Sequence, residues 1–160
     1  MWQVIRLCIR TQLTCTRLGF YVDSPLLPAP TLVRANATSS PPAETLLLGP
    51  FCGKPACQLI RYKSGKSRGV CADAYIQRRT LLVADVEAYP GHIACDGETK
   101  SEVVVPLLVR PDGSAAEFGD KTAHAVGVLD LDCLALGGFD EQDKVGLEKI
   151  AQLIVASCDW

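Results

Sequence analysis

No stretch of this 160-residue chain stays apolar for the ~20 residues that a membrane-spanning helix requires. The first twenty residues are broken by Arg6, Arg10 and Arg17, which also makes them a poor secretory signal. An excess of charge is missing too. The chain has 16 basic and 18 acidic residues, so it carries no broad positive field to hold nucleic-acid phosphates or an anionic membrane. There is no internal repeat, no glycine-rich phosphate loop and no Ser-His-Asp order, which leaves phosphoryl and acyl transfer without a foothold. These absences point to a cytoplasmic protein that acts on a small molecule or another protein. An acid-free, arginine-bearing start leaves an organelle presequence as the alternative, although residues 2–7 alternate like a strand.

The length suits one domain, residues 1–160, and 48% hydrophobic content can build a core without covalent staples. Eight cysteines are many for a chain with no export signal, so each needs a reason. Their even number would also fit a secreted disulfide framework, but such frameworks belong to shorter, loop-rich chains. The sequon at Asn36 reads as a loop sequence when no signal precedes it.

Residues 18–22 read as a strand, and residues 24–44, crowded with Pro, Ser and Thr, as a long exposed loop insertion. Leu46, Leu47 and Leu48 form a short apolar run stopped by Gly49-Pro50, and residues 57–62 form a second strand candidate before a basic turn at 63–68. Gly69 permits tight entry to a helix in the segment 69–79, which places Val70, Ala74 and Gln77 at helical spacing and Cys71 in the first turn. Residues 81–86 suggest a strand, 88–96 an irregular loop, and 103–109 a buried strand interrupted by Pro106. Residues 114–122 then look like an expanded hairpin connection. In residues 124–132, alternation puts Leu129 and Leu131 on one face and Val128, Asp130 and Asp132 on the other. A last helix begins at the N-cap Asp140 and carries Leu147, Ile150, Ala151 and Ile154 on one stripe. Helices interleaved with hairpin-compatible strands favour an α+β domain with a mainly antiparallel sheet flanked by helices.

Cys95 lies in the loop opened by Pro90-Gly91, where a nucleophile can be exposed and His92 is close in sequence. A small apolar core cysteine is the competing reading. Cys71, at a helix start, gains from the positive end of the dipole. Cys52 and Cys57 flank Lys54. A zinc site is a rival, but no Cys-x-x-Cys pair exists and the ligands would be spread from 52 to 95; no metal and no cofactor is expected. Asp130 and Asp132 repel each other unless a cation or water intervenes. An amino-acid ammonium could be that cation, with Glu102 as a third carboxylate; a solvated strand face is the alternative. If the cluster exists for binding, removing its charge should leave the fold unchanged or firmer.

The segments LGPFCGKPAC (48–57), GVCADA (69–74), VADVEAYPGHIACDGETKSEVVVPLL (83–108) and GVLDLDCLALGGFDEQD (127–143) resemble the free methionine-(R)-sulfoxide reductases, a GAF-fold family. The resemblance implies that Cys95 attacks the sulfoxide and that Cys57 and Cys71 match resolving positions. It also implies that Glu102, Asp130, Asp132 and Tyr21 bind substrate. Activity would be thiol-dependent reduction of the free sulfoxide, through a sulfenic acid and an intramolecular disulfide, with thioredoxin as reductant. A homodimer is left open. The alternative is a GAF ligand-binding or redox-sensing module without turnover. Several positions depart from the family pattern. Cys52 replaces a glutamine and adds a thiol that could join exchange. Arg17 replaces a tryptophan that helps enclose the substrate methyl group. Residues 1–16 are an atypical start where the family has about two helices, so the N-terminal helices are expected to be missing.

Overall fold

The strand expected at residues 18–22 extends in both directions, to Cys15–Asp23 (β1), in the computed structural model of the chain. The structure describes residues 15–26, 44–62, 69–93, 95 and 97–160. Most of the 24–44 insertion, the basic turn and the atypical start therefore lie outside the described residues. A short 3-10 turn, Ser24–Leu26, closes β1. There follow β2 (Thr45–Gly53), β3 (Leu59–Arg61), helix α1 (Val70–Gln77), β4 (Leu81–Val83), β5 (Ser101–Val109), β6 (His124–Cys133) and helix α2 (Glu141–Ala156). The strands form one six-stranded sheet in the order β3-β2-β1-β6-β5-β4, with every neighbouring pair antiparallel. This is the α+β architecture expected from the sequence.

Two prolines fail to stop their strands, for one physical reason. Proline removes a ladder donor, which matters only where a partner strand needs it. β3 pairs with β2 at Thr45, Leu46 and Leu47, so Pro50 lies beyond its end, opposite an irregularity in β1 between Gly19 and Tyr21. β4 likewise pairs with β5 only as far as Val104, so Pro106 faces β6 alone. The strand expected at 81–86 ends early because the Val86 amide bonds to the Lys100 carbonyl (3.0 Å) and the Ala84 carbonyl accepts from Gly137 (2.8 Å).

The sheet separates two cores. On one face Leu129 and Leu131, with Val103, Val105 and Leu107, pack against Leu147, Ala151 and Val155 of α2. Fully burying each such leucine contributes roughly 1.5–3 kcal/mol. α2 starts where Asp140 accepts from the Gln142 and Asp143 amides (2.7 and 2.9 Å), while Asp143 accepts from the Asp140 amide (2.9 Å). Of the expected stripe, Leu147 and Ala151 are buried and Ile150 and Ile154 only partly, and Val155 takes the last core position. On the other face α1 buries Val70, Cys71, Ala72 and Ala74 against Val104 and Val128. That second face also carries Asp130 and Asp132.

Candidate active site

Residues directly opposite in an antiparallel pair share a face of the sheet. β5 places Glu102 opposite Asp132, and β1 places Arg17 opposite Asp132 and Gly19 opposite Asp130. Three carboxylates and a guanidinium therefore converge beneath α1. All four are buried: Arg17 and Glu102 are 5% exposed, Asp130 and Asp132 1%. The Arg17 Nη2 contacts an Asp132 carboxylate oxygen and lies 3.5 Å from Asp130 Oδ2, and Nη1 donates to the Pro55 carbonyl (3.1 Å).

The segment after β2 reaches over β1 because Gly53 adopts φ 109°. A Cβ there would lie 2.9 Å from the Arg17 Cα, so only glycine fits. The Lys54 amide then bonds to the Thr16 carbonyl (2.9 Å), and the Lys54 ammonium pairs with Glu98, tying this segment to the 92–99 loop. Across that junction Cys57 and Cys95 form a disulfide, with Cα atoms 5.3 Å apart and a sequence separation of 38. Tyr89 anchors the start of the same loop, donating from its hydroxyl to Asp73 of α1 (2.7 Å).

These parts enclose a cavity of about 480 Å³, and the disulfide, Cys71, His92 and the carboxylate cluster all line it. Tyr21 lines it too. Its hydroxyl is buried and has no hydrogen-bond partner among the described residues. Burial first, then the Asp130 charge, pushes its ionisation well above the ordinary range, so it remains a donor.

The electrostatics depart from a plain acidic patch. Glu102 is pushed well above its ordinary 4.5, first by burial and then by the Asp130 and Asp132 charges. Asp130 is raised by burial, opposed by Arg17 and by hydrogen bonds from Glu102 and Cys71. Neighbouring carboxyls in such a site resist ionising together, and burial beside two other carboxyls pushes Glu102 furthest toward its protonated form. Cys71, 3.6 Å from Glu102 Oε1, is fully desolvated, and burial followed by the Asp130 and Glu102 charges raises its thiol. The helix-dipole benefit expected for Cys71 is outweighed. Cys71, Glu102 and Asp130 bring ligand atoms within 4.8 Å of one another, and the Arg17 guanidinium lies 3.5 Å from Asp130 of this trio.

A proton held only in the folded state makes stability pH-dependent. Folding raises the Glu102 carboxyl, so its cost is absent below the ordinary carboxylate value and grows as pH rises from there toward the raised value. Glu102→Gln is expected to be more stable than the parent at about pH 7.5 and to lose that advantage near pH 4, as measured by denaturant unfolding at both values. An advantage that grows on acidification would contradict the assignment.

The structure brings together Tyr21, Cys57, Cys71, Cys95, Glu102, Asp130 and Asp132, the residues to which the resemblance gives catalytic or substrate-binding roles. It leaves out Cys52. Cys52 stands opposite Leu18 in the strand register, and Leu18 packs on the α2 face of the sheet, so the exposed Cys52 lies away from the cavity. Arg17, noted in the sequence only as standing where the family has a tryptophan, lies inside the carboxylate cluster. The signal was present in the sequence: Arg17, Gly19 and Tyr21 alternate onto one face of β1, and Tyr21 was already assigned to the site.

No family model matches the chain. A solved GAF-domain structure superimposes with a TM-score of 0.74 at 39% identity, covering 99% of this chain and 73% of that one. The fold and the cavity on the helix-covered face of its sheet thus define a GAF-domain protein. The free methionine-R-sulfoxide reductase of Saccharomyces cerevisiae is 49% identical over 121 residues, 76% of this chain and 59% of the yeast protein. The free methionine-R-sulfoxide reductase of Neisseria meningitidis, solved in complex with its substrate, superimposes with a TM-score of 0.64 at 32% identity over 97% of this chain and 72% of that one. This chain belongs to the free methionine-R-sulfoxide reductase family, and it spans somewhat under two thirds of the length of the yeast relative.

Proposed function

We propose that this chain reduces free L-methionine-(R)-sulfoxide to methionine, with Cys95 as nucleophile and Cys57 as the thiol that resolves it. One observation carries this reading: a Cys57–Cys95 disulfide in the wall of a cavity that also holds three carboxylates able to receive an amino-acid ammonium. In the first step the Cys95 sulfur attacks the sulfoxide sulfur. The oxygen, with a proton, passes to Cys95 as a sulfenic acid, and methionine leaves with the two electrons. The Glu102 carboxyl, pushed toward its protonated form, and the Tyr21 hydroxyl are cavity groups able to supply that proton. The Cys57 thiol then condenses with the sulfenic acid to form the disulfide and release water. A dithiol reductant, thioredoxin in this reading, returns both cysteines to thiols by exchange. Such a cycle belongs in a reducing compartment such as the cytoplasm. No described helix is long and apolar enough to cross a membrane.

Cys71 remains the other candidate for resolution, but its raised thiol makes it the slower partner in exchange. The GAF binding or redox-sensing module without turnover stays a second reading, because Arg17 already neutralises part of the carboxylate cluster. A thioredoxin-coupled assay decides between them. Turnover is expected with the free R-sulfoxide and not with its S epimer or a peptide-bound form. Reversible formation of the disulfide with no methionine released would favour the sensor.

A further inference from the structure

The carboxylate cluster is the part of the cavity that the proposed reaction assigns to the substrate ammonium, yet a side chain of this chain already sits there. Arg17 enters from β1 at the register of Asp132, so the pleat itself aims it at the cluster. Its guanidinium is held from two sides. Nη2 contacts Asp132 and lies 3.5 Å from Asp130, and Nη1 donates to the Pro55 carbonyl (3.1 Å), two residues before Cys57. At 5% exposure it is as buried as Glu102 and packed by the structure around it. Gly53 keeps the segment carrying Pro55 close to the Arg17 backbone. The contact is part of how the β2–β3 connection crosses β1, and is not a surface side chain folded inward.

A cation that reaches Asp130 and Asp132 must displace this guanidinium or share the carboxylates with it. Tethered to β1, the guanidinium competes at a local concentration far above that of any free ligand, and its planar donors match carboxylate oxygens better than a rotating ammonium does.

We propose that Arg17 is an internal competitor for the acidic end of the cavity, a specificity-determining residue that weakens recognition of a ligand's ammonium and so narrows the preference of this chain for free amino acids over N-blocked ones. The proposal rests on the reading of this cavity as an amino-acid site. It concerns the charge that meets the ligand, not the thiol chemistry.

The test uses the reduced full chain and two variants, Arg17→Gln, which keeps hydrogen-bond donors without charge, and Arg17→Met, which keeps volume. Calorimetric titration with L-methionine, N-acetyl-L-methionine and methylguanidinium chloride supplies the probes. Freeing a charge-assisted contact should tighten L-methionine roughly ten- to a hundredfold in both variants and leave N-acetyl-L-methionine within a few-fold. Methylguanidinium should bind the variants and not the wild type, because it refills the vacated place. Arg17→Lys, which keeps the positive charge, should show no gain.

Equal tightening of both methionine ligands would mean that Arg17 only occupies space, and unchanged L-methionine affinity would overturn the proposal outright. Should the neutral variants not fold, the guanidinium resonance of Arg17 in the wild-type protein decides. It shifts on saturation with L-methionine if the side chain is displaced, and an unmoved signal at saturation refutes displacement. The same proteins in the sulfoxide assay separate the two ideas. Absence of turnover together with the predicted binding shifts would sink the reductase reading and leave the role of Arg17 standing.

Discussion

Cys95→Ser is expected to lower methionine formation from the free R-sulfoxide by at least about a thousandfold, because a hydroxyl cannot replace the thiolate that accepts the sulfoxide oxygen. Three cysteines line the cavity, and the geometry ranks them. Cys71 is desolvated and surrounded by carboxylates, which holds its thiol protonated. Cys57 and Cys95 stand on segments linked by the Lys54–Glu98 ion pair and are close enough to form a disulfide. The two substitutions separate their roles. Cys57→Ser should release one methionine per chain and then stall, whereas Cys95→Ser should release none. The opposite pattern would make Cys57 the nucleophile. Near-normal release by both variants would move the chemistry away from this cavity.

The second large effect concerns the fold. Asp132→Asn is expected to destabilise the protein by about 3–5 kcal/mol, lowering Tm by roughly 10 °C, because it leaves a buried guanidinium with one carboxylate in place of two. This reverses what the sequence alone suggests. Read as a strand with two like charges, the cluster should become firmer when a charge is removed. With Arg17 inside it, that expectation survives for Glu102, which is pushed toward its protonated form and carries no ion pair with Arg17, and fails for Asp132. Thermal melts and denaturant curves on both variants check the contrast. A paired Arg17→Met, Asp132→Leu replacement should recover much of the loss, since an apolar pair of similar volume often matches a buried ion pair. A wild-type melt for Asp132→Asn would show that the pair does not hold the fold.

The features legible in the sequence are those whose cause is local. The alternation of residues 124–132, the capping residues Asp140 and Asp143, and the glycine entry to α1 each arise within a few residues and could be read directly. The strands that run through Pro50 and Pro106 could not, because tolerance of proline there depends on where β3 and β4 end. The neighbourhood of β1 and β6 is likewise non-local: more than a hundred residues separate Arg17 from Asp132, and no periodicity reports that pairing. So the carboxylates were visible as a cluster in search of a cation, and alternation put Arg17 on the Tyr21 face of β1, but nothing local told that this face would meet Asp132. The thiols divide in the same way. A loop cysteine beside Pro90-Gly91 marks Cys95, but its partner 38 residues away is set by the crossing of the β2–β3 connection over β1.

The central claim is that this cavity converts a free sulfoxide at the expense of the Cys57 and Cys95 thiols. The most direct measurement is a single turnover: fully reduced protein mixed with excess free methionine-R-sulfoxide in the absence of reductant, with methionine quantified and disulfides mapped by peptide mass spectrometry. The expected result is about one methionine per chain, appearing together with a disulfide between Cys57 and Cys95. Methionine released without that disulfide, or the disulfide formed without methionine, would contradict the account.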